Sequence, residues 1–280
     1  MKSSAIVGFI FGFAMIFGAY YLEGGTASTL FLIPALMIVF GGTIATAMIG
    51  SSWQHIARMP RLIAIALFPP EYDPVGIAKQ IIRYAVVARK DGILALERFL
   101  NRAPHPYLKK LLQLVIDGTD PKELRKVAEN ELLFIAQRHQ ININLFGRMG
   151  GYAPTMGIIG TVMGLISTLA SAGDDPTTLI KHIAMAFIAT MWGILSANLI
   201  WLPIADKLKT LHEEEEQLLK MMQEGMIALQ EGAPPSTIKF KVASLLPISE
   251  QDQIISMSTY EVMRESSPIR VTISSPPEKS

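Results

Sequence analysis

The sequence predicts an all-α integral membrane protein with four transmembrane helices and a helical cytoplasmic domain inserted between the second and third. Three observations carry this expectation. Half of the 280 residues are hydrophobic and the mean hydropathy is +0.35, more than one soluble core of this size needs to bury. Four stretches are free of Asp, Glu, Lys and Arg for longer than the roughly 20 residues of helix that cross a bilayer: Ser3 to Leu22, Gly24 to Ala57, Met149 to Gly173, and Ile183 to Ala205. Basic residues are concentrated between the second and third stretches, from Arg58 to Arg138, whereas the connectors Glu23–Ser28 and Ala172–Thr178 hold none. By the positive-inside rule the large loop and both termini lie in the cytoplasm and the short connectors lie outside.

The first run follows Lys2, as the apolar core of a secretory signal does, but its apolar stretch is too long and no small-x-small cleavage site comes after it, so it reads as a retained helix. With the second run it forms a transmembrane hairpin over 1–57. A cytoplasmic helical domain occupies 58–147. Asp73-Pro74 and Asp120-Pro121 there, and Asp175-Pro176 in the second outside connector, each place a capping acid before a proline. At the first helical position proline's missing N–H costs nothing. Gly92 divides two helices, with Asp91 as a cap for the second. Leu124, Val127, Leu132, Ile135 and Ile141 mark an amphipathic helix that continues into the third run. The second membrane hairpin covers 148–205. A cytoplasmic helical extension over 206–232 carries the acidic stretch Glu213 to Glu216. From 233 to 280, six prolines and abundant serine predict a disordered tail.

Composition removes several function classes. A net charge of +1 provides no basic field for nucleic acid. The absence of cysteine removes disulfides, thiol catalysis and thiolate metal sites. His55, His105, His139, His182 and His212 are scattered without ligand spacing, so no metal site is expected. No nucleophile, base and oxyanion donor can be assembled, so neither an enzyme nor a resident cofactor is expected.

The four runs carry no acid or base apart from His55 at the cytoplasmic edge of the second. Proteins that move ions through lipid by titrating a side chain need an intramembrane carboxylate or histidine. Either the chain conducts no ions or a partner supplies the group. The third and fourth runs carry small and polar stripes instead. Pro154, Thr161 and Thr168 fall seven apart, Gly157, Gly160 and Gly164 make a second face, and Ala186, Thr190, Gly193 and Ala197 continue the pattern on the fourth run. Such stripes let helices approach closely, with each hydroxyl bonded to its own backbone; the other reading is a pathway wall that offers hydroxyl oxygens to a cation. Pro154 and Pro203, near the cytoplasmic ends of these helices, are hinges or simple terminators. In ARKDGILALERFL, Arg89, Lys90 and Glu97 stand out, although spacing alone does not separate them from ordinary solvated charges.

The strings GGYAPTMGIIGTVMGLISTL (Gly150 to Leu169) and AFIATMWGILSANLIWLPIADKL (Ala186 to Leu208) resemble the MotA/PomA family of flagellar motor stator proteins. The resemblance spans about residues 1–230, including the two-plus-two layout of runs; only the longer Ser/Pro-rich tail departs from it. It implies a homopentamer in the bacterial inner membrane around two copies of a MotB-like partner. That partner brings a transmembrane helix with the ion-binding Asp and a peptidoglycan-binding domain. It also implies that transported Na⁺ or H⁺ drives rotation of the ring and that the cytoplasmic domain pushes the rotor protein FliG. Arg89 and Glu97 resemble the charged pair that engages the rotor, with Lys90 the adjacent basic residue. Pro154 and Pro203 match the coupling prolines, and Thr161 and Thr190 match positions lining the ion path. Threonine at the Thr161 position accompanies sodium drive among relatives, where a proton-driven type has alanine; this favours sodium while leaving protons open. The competing class is an ExbB/TolQ-like energiser of an outer-membrane system, whose three membrane helices fit four runs less well.

Overall fold

The computed structural model describes residues 4–171, 176–258 and 261. Among these, every regular element is helical. Contacts divide the chain into two compact units, one of residues 1–69 and 138–211, the other of 70–137 and 212–280; the sequence reading instead places the inserted domain over 58–147.

In the first unit, α1 (Ser4–Leu22) buries none of its residues. Val7, Ile10, Phe11 and Met15 are all more than half exposed. An apolar helix without a buried face calls for lipid or another chain as its solvent. The second run departs from the single helix expected: it forms a short turn at Ala27–Leu30, an apolar helix α2 (Ile33–Ile49), a break at Gly50–Ser52 and a turn at Trp53–Ala57. Pro34 lies in the first turn of α2, where its ring fits, and Gly50 ends it. Helix α3 (Met59–Leu67) comes next.

Beyond α3 the chain forms α4 (Pro74–Asp91) and α5 (Pro106–Ile116), both in the second unit. Helix α6 (Pro121–Ala170) is continuous for 50 residues, and the helical run α7 extends from Pro176 to Gln230. Together with α1, α6 and α7 are long and apolar enough to cross a membrane. Pro154 and Pro203 lie inside these helices, not at ends. At Pro203 the helix adapts by a π turn over Ala197–Trp201, in which the Leu202 N–H reaches back five residues to the Ala197 carbonyl. The wider turn relieves the clash a proline ring has with the carbonyl four residues earlier. A second π turn, Met37–Gly41, lies inside α2.

The second unit is built on proline-started helices. Asp73 Oδ1 accepts the Gly76 N–H at 2.8 Å to cap α4, and Asp120 Oδ1 accepts the Lys122 N–H at 2.9 Å to cap α6. Asp175 lies outside the described residues. Asp91 is the last residue of α4 and does not cap the next helical turn; the chain bends at Gly92, whose φ of +86° favours glycine. The core joins Ile77, Ile81 and Tyr84 of α4 with Leu108 and Leu112 of α5, Leu124 of α6 and Met222 of α7. Val127 and Ile141, expected on the buried stripe of α6, are exposed instead.

Between 235 and 256 helices stand where disorder was expected from 233 onward; beyond 258 that expectation falls, apart from residue 261, outside the described residues. The two helices are α8 (Pro235–Ala243) and α9 (Ile248–Ser256). Ile238, Val242, Leu246 and Ile254 are buried in the core that α4 and α7 share. Pro234, Pro235 and Pro247 stand at helix starts, where proline initiates. Lys239 Nζ donates to the Ile255 and Met257 carbonyls at 2.8 and 3.0 Å, closing the C-terminal end of α9.

Candidate functional site

The first group of expected site residues gathers where α6 crosses α7, within the first unit. Gly157, Gly160 and Gly164 face Ala186, Ala189 and Gly193. A Cβ at Gly157 would stand 2.9 Å from the Ala189 carbonyl oxygen, and one at Gly193 would stand 2.8 Å from the Ala153 carbonyl oxygen. Nothing larger than hydrogen fits, so the backbones touch.

This close approach brings Thr161 and Thr190 together, and their hydroxyls form a short hydrogen bond. Thr161 Oγ1 also lies 3.0 Å from the Gly157 carbonyl and 3.1 Å from the Ala186 carbonyl. Thr190 Oγ1 lies 3.4 Å from the Ala186 carbonyl. Both residues are half-buried. Each hydroxyl has one proton and two lone pairs. The cluster is therefore rich in acceptor oxygens, the donor type a hard cation takes. No Asp, Glu, Lys or Arg occurs on either helix between Met149 and Ala170 or between His182 and Ala205, so the crossing supplies oxygens without a titratable charge. Thr168, on the same face, donates to the Gly164 carbonyl at 2.9 Å and is not part of the pair. Pro154 lies seven residues before Thr161 on α6, and Pro203 thirteen residues after Thr190 on α7. Pro154 is half-buried and Pro203 exposed.

The second group lies in the other unit. Arg89 and Lys90 occupy the exposed last turn of α4, and Glu97 opens the helical turn Glu97–Leu100 after the Gly92 corner. None of the three is in an ion pair among the described residues, so all keep their charge available. The corner is held by packing that the sequence did not reveal. Leu96 is fully buried. The Phe99 ring packs 5.4 Å from the Tyr84 ring, with the guanidinium groups of Arg83 and Arg98 over it at 5.3 and 5.0 Å. Arg98 also reaches Asp91 across the corner at 3.4 Å. Burial pushes the Tyr84 phenol up to about 12, keeping it neutral beneath this charged turn.

His105 is a further residue the sequence left unassigned. It is buried, its Nδ1 accepts the Tyr107 N–H at 3.2 Å as the N-cap of α5, and burial lowers its pKa to about 4. The signal lay in its place before Pro106, the cap-proline arrangement of Asp73 and Asp120 with imidazole in place of carboxylate.

The chain is similar to known proteins in both sequence and fold. Residues 6–79 match the motility protein A N-terminal family, and residues 100–221 match the MotA/TolQ/ExbB proton channel family. The chain is 32% identical over 254 residues to motility protein A of Bacillus subtilis, covering 90% of this chain and 93% of that one. It is 29% identical over 238 residues to chemotaxis protein PomA of Vibrio alginolyticus, covering 85% and 92%. Its fold superposes on the C. jejuni MotAB structure with a TM-score of 0.85 at 26% identity, covering 92% of this chain and 100% of that chain. A TM-score of 0.80 at 29% identity relates it to the flagellar MotAB stator complex of B. subtilis, covering 89% and 98%.

Proposed function

The chain belongs to the motility protein A family, and from that premise we propose that it is a stator subunit of the bacterial flagellar motor, coupling cation flow to rotor torque. The observation that carries this reading beyond family membership is the Thr161–Thr190 hydroxyl pair, set at a glycine-lined crossing in helices with no titratable side chain. Such a site can strip part of a cation's hydration shell but cannot hold its counter-charge. A MotB-like partner supplies the missing carboxylate on its own transmembrane helix, and the cation passes between that carboxylate and the hydroxyls.

Four spans cross the inner membrane, α2 being the shortest, with both termini and the second unit in the cytoplasm. Five copies of this chain surround two partner helices. The partial hinges at Pro154 and Pro203 convert ion passage into movement. Arg89, Lys90 and Glu97, in no ion pair among the described residues, engage the rotor protein FliG through complementary charge. Hydroxyl oxygens favour sodium as the coupling ion, and proton drive is the alternative that the sodium dependence of rotation decides.

Vesicles containing this chain alone, the partner alone or both test the reading. Ion flux only when both are present is the expected result. Robust proton or sodium flux through this chain alone contradicts it, because the counter-charge would then lie elsewhere.

A further inference from the structure

We propose that Trp201 and Thr43 are further coupling residues of the stator, exchanging a hydrogen bond between the two π turns of the membrane unit as the work cycle proceeds. The inference rests on the stator reading and adds to it an element that neither the prolines nor the threonine pair supply.

π turns account for well under 1% of residues in folded proteins and recur at functional sites. This unit has two among its described residues, Met37–Gly41 in α2 and Ala197–Trp201 in α7. They are in contact: the ring of Phe40, from the first, meets the ring of Trp201, from the second, edge-on at 6.4 Å. Each turn is associated with one buried polar atom that has no hydrogen-bond partner, Thr43 Oγ1 just after the first and Trp201 Nε1 at the end of the second. Thr43 is fully buried and Trp201 is 6% exposed.

Thr43 is anomalous within this chain. Thr46, Thr161, Thr168 and Ser167 each donate to the carbonyl four residues earlier. The corresponding acceptor for Thr43 is the Val39 carbonyl, which lies inside the π turn, where the Gly42 N–H is shared between the Ile38 and Val39 carbonyls. Next to this irregular turn the Thr43 hydroxyl makes no bond to its local carbonyl. In a membrane interior an unmatched polar group is costly, because no solvent is present to satisfy it.

The two orphans are chemically complementary. An indole N–H only donates, and a threonine hydroxyl accepts as well as donates. They are also close in the packing: Phe40, one turn before Thr43, touches Trp201, and Ala47, one turn after it, shares the hydrophobic cluster of Trp201. A π turn carries one extra residue, and moving that residue along the helix re-aims the side chains of the turn. Trp201, two residues before Pro203, is re-aimed when the helix flexes there. In this structure the bond is open; in the alternative arrangement it closes from Trp201 Nε1–H to Thr43 Oγ1 and fixes α7 against α2.

The test uses the full complex with its partner and the variants Trp201→Phe, which keeps the ring and loses the N–H, Thr43→Val, which keeps the shape and loses the hydroxyl, and their combination. Rotation speed at matched ion flux is expected to fall about fivefold in either single variant, the weight of one ordinary hydrogen bond. The double variant should fall no further, since both changes delete the same bond. Thr43→Ser restores the acceptor and should recover most of the loss. Additive losses, or singles that rotate normally, overturn the proposal. Ultraviolet resonance Raman of the indole ring supplies a readout independent of rotation. Under an ion gradient the parent should show a hydrogen-bonded Trp201 component that Thr43→Val lacks, and the absence of that component overturns the proposal even if variants fail to assemble. A parent complex that passes no ions contradicts the stator reading instead and leaves the Raman comparison standing.

Discussion

The Thr161 and Thr190 hydroxyls bond to each other across a helix crossing whose glycines leave no room for a methyl group. Each feature depends on the other: the glycine stripes bring the backbones close enough for the hydroxyls to meet, and the hydroxyls give the crossing its polar side-chain atoms. Thr190→Ala should therefore cut torque severely with any coupling ion, because the remaining hydroxyl loses its partner and the passing cation loses an oxygen. Thr161→Ala should raise the sodium concentration for half-maximal speed. Bead-rotation speed against sodium at fixed pH measures both, and an unchanged sodium curve for Thr161→Ala rejects its liganding role.

The packing at this crossing has its own signature. Gly157→Ala and Gly193→Ala each drive a methyl into a backbone carbonyl under 3.0 Å away. Overpacking of this kind costs about 1–3 kcal/mol, so both variants should lower the melting temperature of the purified complex. Gly151→Ala, which meets nothing within 4 Å, is the control and should leave it unchanged.

Charge reversal at the Gly92 corner should separate assembly from torque. Arg89→Glu or Glu97→Arg leaves Leu96 and Phe99 packed, so membrane insertion and partner capture persist while rotation drops. Partner pull-down and swimming speed in the same cells make the comparison. Normal rotation, or loss of assembly, rejects the rotor-contact assignment.

His105 makes the second unit sensitive to acid. Its folded pKa of about 4 lies below the ordinary 6.5, so the unfolded chain binds the extra proton between these values. Stability from this residue is complete above pH 6.5 and is lost progressively as pH falls toward 4. Thermal melts over that range should show a decline that His105→Asn, which keeps a cap acceptor without titrating there, reduces.

Much of the helical layout was legible in the sequence. The capping acids Asp73 and Asp120 and the apolar runs forecast helix starts and membrane-capable helices, because both signals are local. What the sequence hid depends on contacts between distant segments. The tail reads as disordered from its prolines, yet Ile238, Val242 and Ile254 become buried by packing on a core built largely from α4 and α5, far back along the chain. The Thr161–Thr190 bond needed the register of two helices whose contacting residues are 29 apart. The π turns leave no periodic trace, and Phe99 stands out only once Arg83, Arg98 and Tyr84 surround it.

The tail's packing makes a prediction of its own. Truncation after Gly232 removes α8 and α9 and uncovers Ile81 and Gly225, against which Val242 rests. The truncated subunit should insert in the membrane but show a lower melting temperature and faster proteolysis between residues 70 and 137. Unaltered melting and cleavage contradict a structural role for these helices.

Ion-driven rotation supported by a partner's acid is tested most directly in a cell lacking its own stators. Tethered-bead rotation is recorded with this chain alone, then with its MotB-like partner, then after collapse of the sodium or proton gradient. No rotation is expected from the chain alone, rotation with the partner, and arrest when the coupling gradient is collapsed. Rotation without any partner, or rotation that survives collapse of both gradients, contradicts it.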